Sequence, residues 1–154
     1  MSLRAHNTII SGYAGRLPGA ESVDAFWQVL KDGRCTVSKV GADRFDTRSF
    51  LHPDPATPGR SATFAAGQID DVWGFDANFF GISPREAVQI DPQQRLLLQV
   101  VWEAIEDAGL KPSDLAGSNT GVYVGASALD YHQRLLFDMP AVDIQTMTGN
   151  NLSI

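Results

Sequence analysis

The segment from Ser83 to Gly109, SPREAVQIDPQQRLLLQVVWEAIEDAG, restricts the possible folds of this chain more than any other segment. It contains two helix starts, and in each of them a capping residue, Ser83 or Asp91, stands directly before a proline. Proline suits the first position of a helix because that position needs no N–H donor. Glu86 and Gln94, each three residues after a capping residue, complete the spacing of a capping box. The segment therefore predicts a short helix followed directly by a longer one.

The longer helix is apolar around more than half of its circumference. Its apolar residues are Leu97, Leu98, Val100, Val101, Trp102, Ala104, Ile105 and Ala108. A helix at the surface of a globular protein carries a narrower apolar stripe, so we predict that this helix is mostly buried, with protein on at least two sides. Gly109 followed by Leu110 predicts a Schellman-type helix end, in which Leu110 reaches back to Ile105.

The polar residues of this helix lie in one narrow arc. They are Arg95, Gln99, Glu103 and Glu106, with Asp107 at the edge. Carboxylates in the last turn oppose the helix dipole, at a cost of about 0.3–1 kcal/mol each when they are exposed. One interpretation is that they are solvated or belong to an Arg95–Gln99–Glu103 ladder at i, i+4 spacing. The alternative is a buried polar network that reaches a neighbouring loop or subunit.

The N-terminal part of the chain predicts a strand followed by a turn. The β-branched residues Ile9 and Ile10 favour a short buried strand over residues 8–12. The glycines of GYAGRLPG, which begins at Gly12, have neither the spacing of a dinucleotide-binding loop nor that of a Walker loop. We interpret them as a turn that needs glycine dihedral angles, with phosphate binding as the less favoured alternative.

A helix is predicted to follow this turn, from about Val23 to Asp32. Ser22 is its predicted N-cap, and Gly33 stands at the position where a left-handed residue ends a helix. The apolar residues recur at helical spacing and are predicted to face the core. They are Val23, Phe26, Trp27 and Leu30.

From Arg34 to Gly74 the periodicity fails, and only AAGQID indicates a short strand. We predict an ordered segment, because aromatic residues provide anchors that a disordered segment would lack. These anchors are Phe45, Phe50, Phe64, Trp73 and Phe75. Further along, TGVYVGAS predicts a strand over residues 120–127, and residues 130–137 predict a helix. The order of the elements indicates an α/β fold.

Composition limits the possible partners and location. The formal net charge is −6 and no run of basic residues occurs, which argues against nucleic acid or an anionic membrane as a partner. The single cysteine, Cys35, cannot form an internal disulfide, which fits a reducing compartment. No window reaches ~18 apolar residues and the N-terminus lacks a signal sequence. We therefore predict a cytoplasmic protein that makes no membrane contact.

The residues themselves indicate no catalytic or metal site. No histidine stands near Cys35 that could activate it, and no G-x-S-x-G motif occurs. His6, His52 and His132 are far apart and lack the spacing of metal ligands. We therefore expect no catalytic residue, no bound cofactor and no metal in this chain.

A resemblance supplies what the chemistry does not. FDANFFGISPREAVQIDPQQRLLLQVVWEAIEDAGL, from Phe75 to Leu110, resembles the signature block of the β-ketoacyl synthase (ketosynthase) domains of modular polyketide synthases. GYAGRLPGAESVDAFWQVLKDGR, ADRFD and TGVYVGAS are similar to further segments of that family, so the resemblance extends from about Asn7 onwards. Ile90 departs from it, because the family usually has methionine there.

The resemblance implies a thiolase-like, layered α/β/α/β/α fold that forms a homodimer. Residues 1–154 would be the N-terminal part of a ketosynthase domain, incomplete at its C-terminus. The family is an acyltransferase family: its reaction is the decarboxylative Claisen condensation of an acyl thioester with a malonyl-type extender, carried on the phosphopantetheine of an acyl carrier protein. The catalytic cysteine and the two histidines of the family have no counterparts here, so we expect this fragment alone to be inactive.

Three residues are candidates for substrate binding by the same resemblance. In relatives, the segment before the match to Thr148-Gly149-Asn150 lies at the dimer interface and can line the acyl pocket, which indicates Gln145, Met147 and Thr148. Ordinary interface packing is the alternative for these residues. Two alternatives remain for the whole chain: a non-catalytic ketosynthase-like binding or dimerisation module, or a fragment of a fatty-acid β-ketoacyl synthase.

Overall fold

A computed structural model describes residues 7–42, 44, 46–136 and 149–150 of the chain. The chain divides into two compact units, one of which is Gly15–Asp70, while the other combines Met1–Ala14 with Asp71–Ile154. Each unit is described below by itself.

The Gly15–Asp70 unit contains one long helix and a small sheet. Helix α1 is Val23–Lys31, strand β1 is Val37–Lys39, strand β2 is Ala65–Gly67, and a 3₁₀ turn spans Thr47–Ser49. The two strands pair antiparallel, with Val37 opposite Gly67 and Lys39 opposite Ala65. The strand predicted from AAGQID is confirmed in β2, whereas β1 was not predicted.

Helix α1 begins and ends where the sequence predicts. The Ser22 hydroxyl accepts a hydrogen bond from the Ala25 N–H at 3.1 Å. At the other end Gly33 has a φ of +60°, and the Gly33 and Arg34 N–H groups donate to the carbonyls of Leu30 and Val29. These paired bonds are those of a Schellman motif.

The apolar stripe predicted on α1 is only partly covered. Val29, which lies outside that stripe, is the buried residue of the helix, whereas Trp27 is 58% exposed and Leu30 is also exposed. The prediction of a core position is therefore wrong for Trp27 and Leu30. Helical spacing identifies an apolar face, but burial requires a neighbour to pack on it, and none in this unit covers these two side chains.

The second unit contains the predicted pair of proline-led helices. Helix α2 is Pro84–Ala87 and helix α3 is Pro92–Asp107. Two shorter helices follow, α4 at Pro112–Leu115 and α5 at Asp130–Leu136. Helix α5 confirms the prediction for residues 130–136, and α4 is an addition, because Pro112 begins a new helix after the break.

Helix α3 ends in the predicted Schellman motif and carries compensated carboxylates. Gly109 has a φ of +68°, and the Leu110 N–H donates to the Ile105 carbonyl at 3.1 Å. The Asp107 carboxylate accepts from the Tyr13 N–H at 2.9 Å, and Glu106 accepts from the Trp102 indole at 2.8 Å. A bridge to a neighbouring loop therefore exists, as one interpretation predicted, although the bridge is exposed rather than buried.

The prediction that α3 is mostly buried is wrong for the described residues. Leu97, Leu98 and Val101 are exposed, and the buried residue of the helix is Arg95, which sequence analysis placed on the polar arc. Trp102 is half-buried, and its ring meets Phe79 edge-on with 4.7 Å between centroids. The described residues thus cover only part of the apolar circumference.

Neither predicted outer strand forms. Residues 7–12 and 120–127 have no strand structure, and the side chains expected in the core are exposed, with Ile9 at 82% and Val122 at 82%. A strand needs a partner that accepts its backbone hydrogen bonds, and no described residue pairs with either segment. The β-branched pattern indicates strand propensity, but the partner is a non-local feature.

Gly12 is required for a close approach to α3 rather than for its dihedral angles. A Cβ atom at this position would overlap the Ala104 carbonyl oxygen and lie 2.6 Å from the Ala108 nitrogen. In the glycine-rich segment only Gly19, with a φ of +70°, has the left-handed conformation that the turn interpretation predicts for glycine. The turn prediction is therefore confirmed at Gly19.

The long segment between the helices is ordered with few buried anchors. Phe50 and Trp73 are exposed, while Phe64 and Phe75 are half-buried and Phe45 lies outside the described residues. Hydrogen bonds between close neighbours hold much of the chain here, for example from the Trp73 and Gly74 N–H groups to the Asp71 carboxylate.

Candidate functional site

The buried residues of the second unit are concentrated where α2 meets α3. The described residues of this unit that are more than nine-tenths buried are Ala87, Ile90, Asp91, Arg95, Gly149 and Asn150. We call this group the junction cluster. It brings the Asp91-Pro92-Gln93-Gln94-Arg95 motif against a segment more than fifty residues further along the chain.

Asp91 organises the start of α3. It is 4% exposed, and its carboxylate accepts from the Gln93 N–H at 2.8 Å, which confirms its predicted role as the N-cap. The side-chain amide of Gln93 also donates to both carboxylate oxygens at 3.3 Å and to the Ala128 carbonyl at 3.3 Å. The reciprocal side-chain contact thus involves Gln93, rather than the predicted capping-box partner Gln94.

Backbone groups of residues 88–91 hold the neighbouring segments. The Asp91 N–H donates to the Gly149 carbonyl at 3.0 Å, and the Asn150 amide donates to the Gln89 carbonyl at 2.8 Å. The Tyr131 hydroxyl donates to the Val88 carbonyl at 2.7 Å. The link between α2 and α3 therefore fixes Gly149–Asn150 and α5 through directional hydrogen bonds.

Arg95 is a buried cation on the same face. Its guanidinium carbon lies 5.7 Å from the centre of the Trp73 ring, and Arg134 lies at the same distance from that ring. The Nε and Nη2 atoms of Arg95 are buried and have no hydrogen-bond acceptor in the described part of the chain. Stacking of a guanidinium on an aromatic ring supplies an attraction that needs no acceptor.

The three predicted substrate-binding residues, Gln145, Met147 and Thr148, lie outside the described residues. The next residue along the chain, Gly149, is described and belongs to the junction cluster. Their assignment therefore stays a prediction.

Sequence analysis missed the junction cluster as a site. Helical spacing placed Arg95 on a polar arc, and no local pattern singled out Asn150 or Tyr131. The available signal was the second capping motif, because two adjacent helix starts leave a short link whose backbone groups need partners from elsewhere.

The junction cluster can hold a neighbouring segment but offers no covalent chemistry. Its titratable side chains are Asp91 and Arg95, and no nucleophile lies among its described residues. No group of three or more His, Cys, Asp or Glu residues in the described part of the chain could hold a metal ion. No helix there has the length and apolar character needed to cross a membrane.

Comparison with protein families gives one match across almost the whole chain. The family described as "Beta-ketoacyl synthase, N-terminal domain" matches residues 7–154. The chain is 46% identical over 151 residues to a phenolphthiocerol/phthiocerol polyketide synthase of Mycobacterium tuberculosis. It is also 45% identical over 154 residues to polyketide synthase GfsE of Streptomyces halstedii.

Solved structures give the same relationship. The oxazolomycin ketosynthase domain OzmH KS7 of Streptomyces albus JA3453 matches with a TM-score of 0.78 and 41% identity, over 86% of this chain and 24% of that one. The ketosynthase from module 6 of the bacillaene synthase of Bacillus subtilis 168 matches with a TM-score of 0.59 and 35% identity, over 68% of this chain and 17% of that one.

These matches involve a small part of each relative. The matched region covers 97% of this chain but 10% of the mycobacterial synthase, and 98% of this chain but 4% of GfsE. The chain therefore spans about a tenth or less of the length of these two curated relatives.

Proposed function

The chain belongs to the β-ketoacyl synthase family, and we propose that it is part of a polyketide-synthase ketosynthase that catalyses decarboxylative Claisen condensation. Its fold is thiolase-like α/β, as predicted, and the chain forms the N-terminal part of that fold. The observation that carries the proposal is the 46% identity to the mycobacterial polyketide synthase across 97% of the chain. This relationship supports a polyketide synthase rather than a fatty-acid synthase.

The proposed reaction joins an acyl group to a malonyl-type extender. A cysteine thiolate attacks the acyl thioester and releases the thiol of the phosphopantetheine arm. Decarboxylation of the extender then produces a carbanion that attacks the acyl-enzyme carbonyl, restores the thiolate and yields a β-ketoacyl thioester. The cysteine and two histidines that perform these steps in the family have no counterparts in these 154 residues.

The residues of this chain contribute position rather than bond making. The junction cluster fixes Gly149 and Asn150 against residues 89–91 through the Asp91 N–H and the Gln89 carbonyl. We propose that Gln145, Met147 and Thr148, directly before this anchored point, line the acyl pocket. A rigid anchor beside a pocket helps to hold a bound acyl chain in a reactive geometry.

The proposed partners follow from the family. They are an acyl carrier protein that presents substrates on phosphopantetheine, and a second copy of the ketosynthase in a homodimer. We propose a cytoplasmic location for the assembly.

The acyl-enzyme intermediate tests the proposed function. The full protein is incubated with an acyl pantetheine thioester, digested, and its cysteine peptides are weighed by mass spectrometry. We expect one cysteine outside residues 1–154 to carry the acyl group, while Cys35, which is exposed and has no base beside it, stays unmodified. Absence of acylation at every cysteine would contradict the proposal and favour a non-catalytic binding module.

Met147→Ala examines the acyl pocket in the same assay. Removing a side chain from the pocket wall is expected to change the preference between short and long acyl chains, without abolishing acylation. Met139→Ala serves as a control because it removes the same side chain at a position that we do not assign to the pocket. Equal preferences in the wild type and Met147→Ala would count against the pocket assignment.

A further inference from the structure

The Gly15–Asp70 unit carries a polar groove that the proposed function does not use. The groove has a volume of about 470 Å³, and its lining includes Arg34, Ser38, Lys39, Arg44, Gln68 and Asp70. This volume lies within the range of about 300–1,000 Å³ that is common for small-molecule sites. The groove is formed entirely by residues of this unit.

Positive charge is concentrated in the groove. Three of the twelve basic residues of a chain with a net charge of −6 line it: Arg34, Lys39 and Arg44. Asp70 is the carboxylate residue of the lining, and Asp32 lies 3.7 Å from the Arg34 Nε in an exposed, loosely paired contact. Exposed pairs of this kind neutralise each other only weakly, so the groove retains an excess of positive charge.

The groove is built on fixed backbone. The Arg44 Nη2 atom donates to the Ile69 and Asp70 carbonyls at 2.8 Å each, which ties one wall to the other. Lys39 lies at the end of β1, where its backbone is paired with Ala65 of β2. Lys39 has no ion-pair partner among the described residues, so its ammonium group is available to a ligand.

We propose that this groove binds a phosphate-bearing ligand. A phosphate group carries up to two negative charges and three strong acceptor oxygens, which need several donors from different directions. The lining supplies cationic side chains, the Ser38 hydroxyl and the Gln68 amide, all of which can donate to oxygen. The site is open and polar, so binding depends on charge and weakens as salt rises.

Cys35 provides a reporter inside the groove, because it belongs to the lining and its thiol is exposed. The full protein is treated with iodoacetamide, a neutral reagent, and the rate of Cys35 alkylation is followed by peptide mass spectrometry while pyrophosphate is added. We expect pyrophosphate to slow alkylation in a saturable way. Sodium chloride at the same ionic strength should leave the rate unchanged.

Charge-removing variants locate the effect. Lys39→Gln and Arg34→Gln should each raise the pyrophosphate concentration needed for half-protection roughly tenfold, the effect of losing one charged hydrogen bond. Lys39→Arg should restore protection. Arg60→Gln, which removes a charge from the same unit outside the groove, should behave as the wild type. Arg44 is left unchanged because it holds the groove together.

Three results would overturn the proposal. They are protection that sodium chloride reproduces, protection that survives in the Lys39→Gln, Arg34→Gln double variant, and protection by citrate equal to that by pyrophosphate. The last would show that any polyanion suffices and that phosphate is not recognised. Because the readout is alkylation of Cys35, the outcome is independent of whether the protein condenses acyl groups.

Discussion

Replacing Asp91 by alanine tests the junction cluster, because this carboxylate caps the helix on which the cluster is built. In the wild type it accepts the Gln93 N–H at 2.8 Å, and it is 4% exposed, so water cannot replace the lost acceptor. Loss of an N-cap costs about 0.5–2 kcal/mol, and an unsatisfied buried donor costs about 1–3 kcal/mol. These two values describe the same lost bond, so we expect a loss of about 2 kcal/mol.

Hydrogen exchange of the α3 amides measures this loss locally in the full protein. A cost of about 2 kcal/mol corresponds to roughly 30-fold faster exchange in peptides from residues 92–107. Asp91→Asn keeps an acceptor oxygen and should accelerate exchange far less. Ser22→Ala removes an exposed cap in the other unit and should leave α3 unchanged. Unchanged α3 exchange in Asp91→Ala, or equal acceleration in Asp91→Asn, would refute the reasoning.

Three further variants test individual contacts by chemical denaturation. Gly12→Ala should destabilise by about 1–3 kcal/mol because its Cβ meets the α3 backbone, whereas Gly125→Ala, with open space around it, should be neutral. Tyr131→Phe should cost about 0.5–1.5 kcal/mol by removing the bond to the Val88 carbonyl, and Tyr123→Phe, whose side chain is 96% exposed, should cost nothing measurable. Trp102→Ala should cost about 3 kcal/mol, the low end for a large aromatic because the ring is half-buried; a change below ~1 kcal/mol would show that its packing contributes little.

Helix ends were predictable because their causes are local. Ser22, Ser83 and Asp91 each cap the helix that the sequence places after them, and Gly33 and Gly109 adopt the left-handed conformation expected of them. A cap involves residues within one turn of each other, so the relevant partners are visible in a short window of sequence.

Strands and burial were less predictable because they depend on distant partners. Ile10 and Tyr123 lie in segments with strand-like patterns, yet neither segment forms a strand in the described part of the chain. Strand β1 formed without a clear pattern, because its three residues pair with a segment almost thirty positions away. Such pairing is set by the rest of the fold rather than by local propensity.

The candidate site shows the same division. The helix start at Asp91 was predicted, but the partners that make it a site, Gly149 and Asn150, were not. Arg95 was assigned to a polar arc, whereas it is buried against Trp73. The family resemblance supplied the functional prediction, because the 154 residues contain no catalytic group from which the reaction could be derived.

Formation of the β-ketoacyl product tests the central claim most directly. The full protein is given an acyl thioester and a malonyl-type extender on acyl carrier protein, and the carrier-bound products are weighed by mass spectrometry. We predict a β-ketoacyl thioester whose mass equals that of the extender thioester plus the transferred acyl group, less carbon dioxide. Recovery of both thioesters unchanged, under conditions where a known ketosynthase converts them, would contradict the account and leave this chain as part of a binding module.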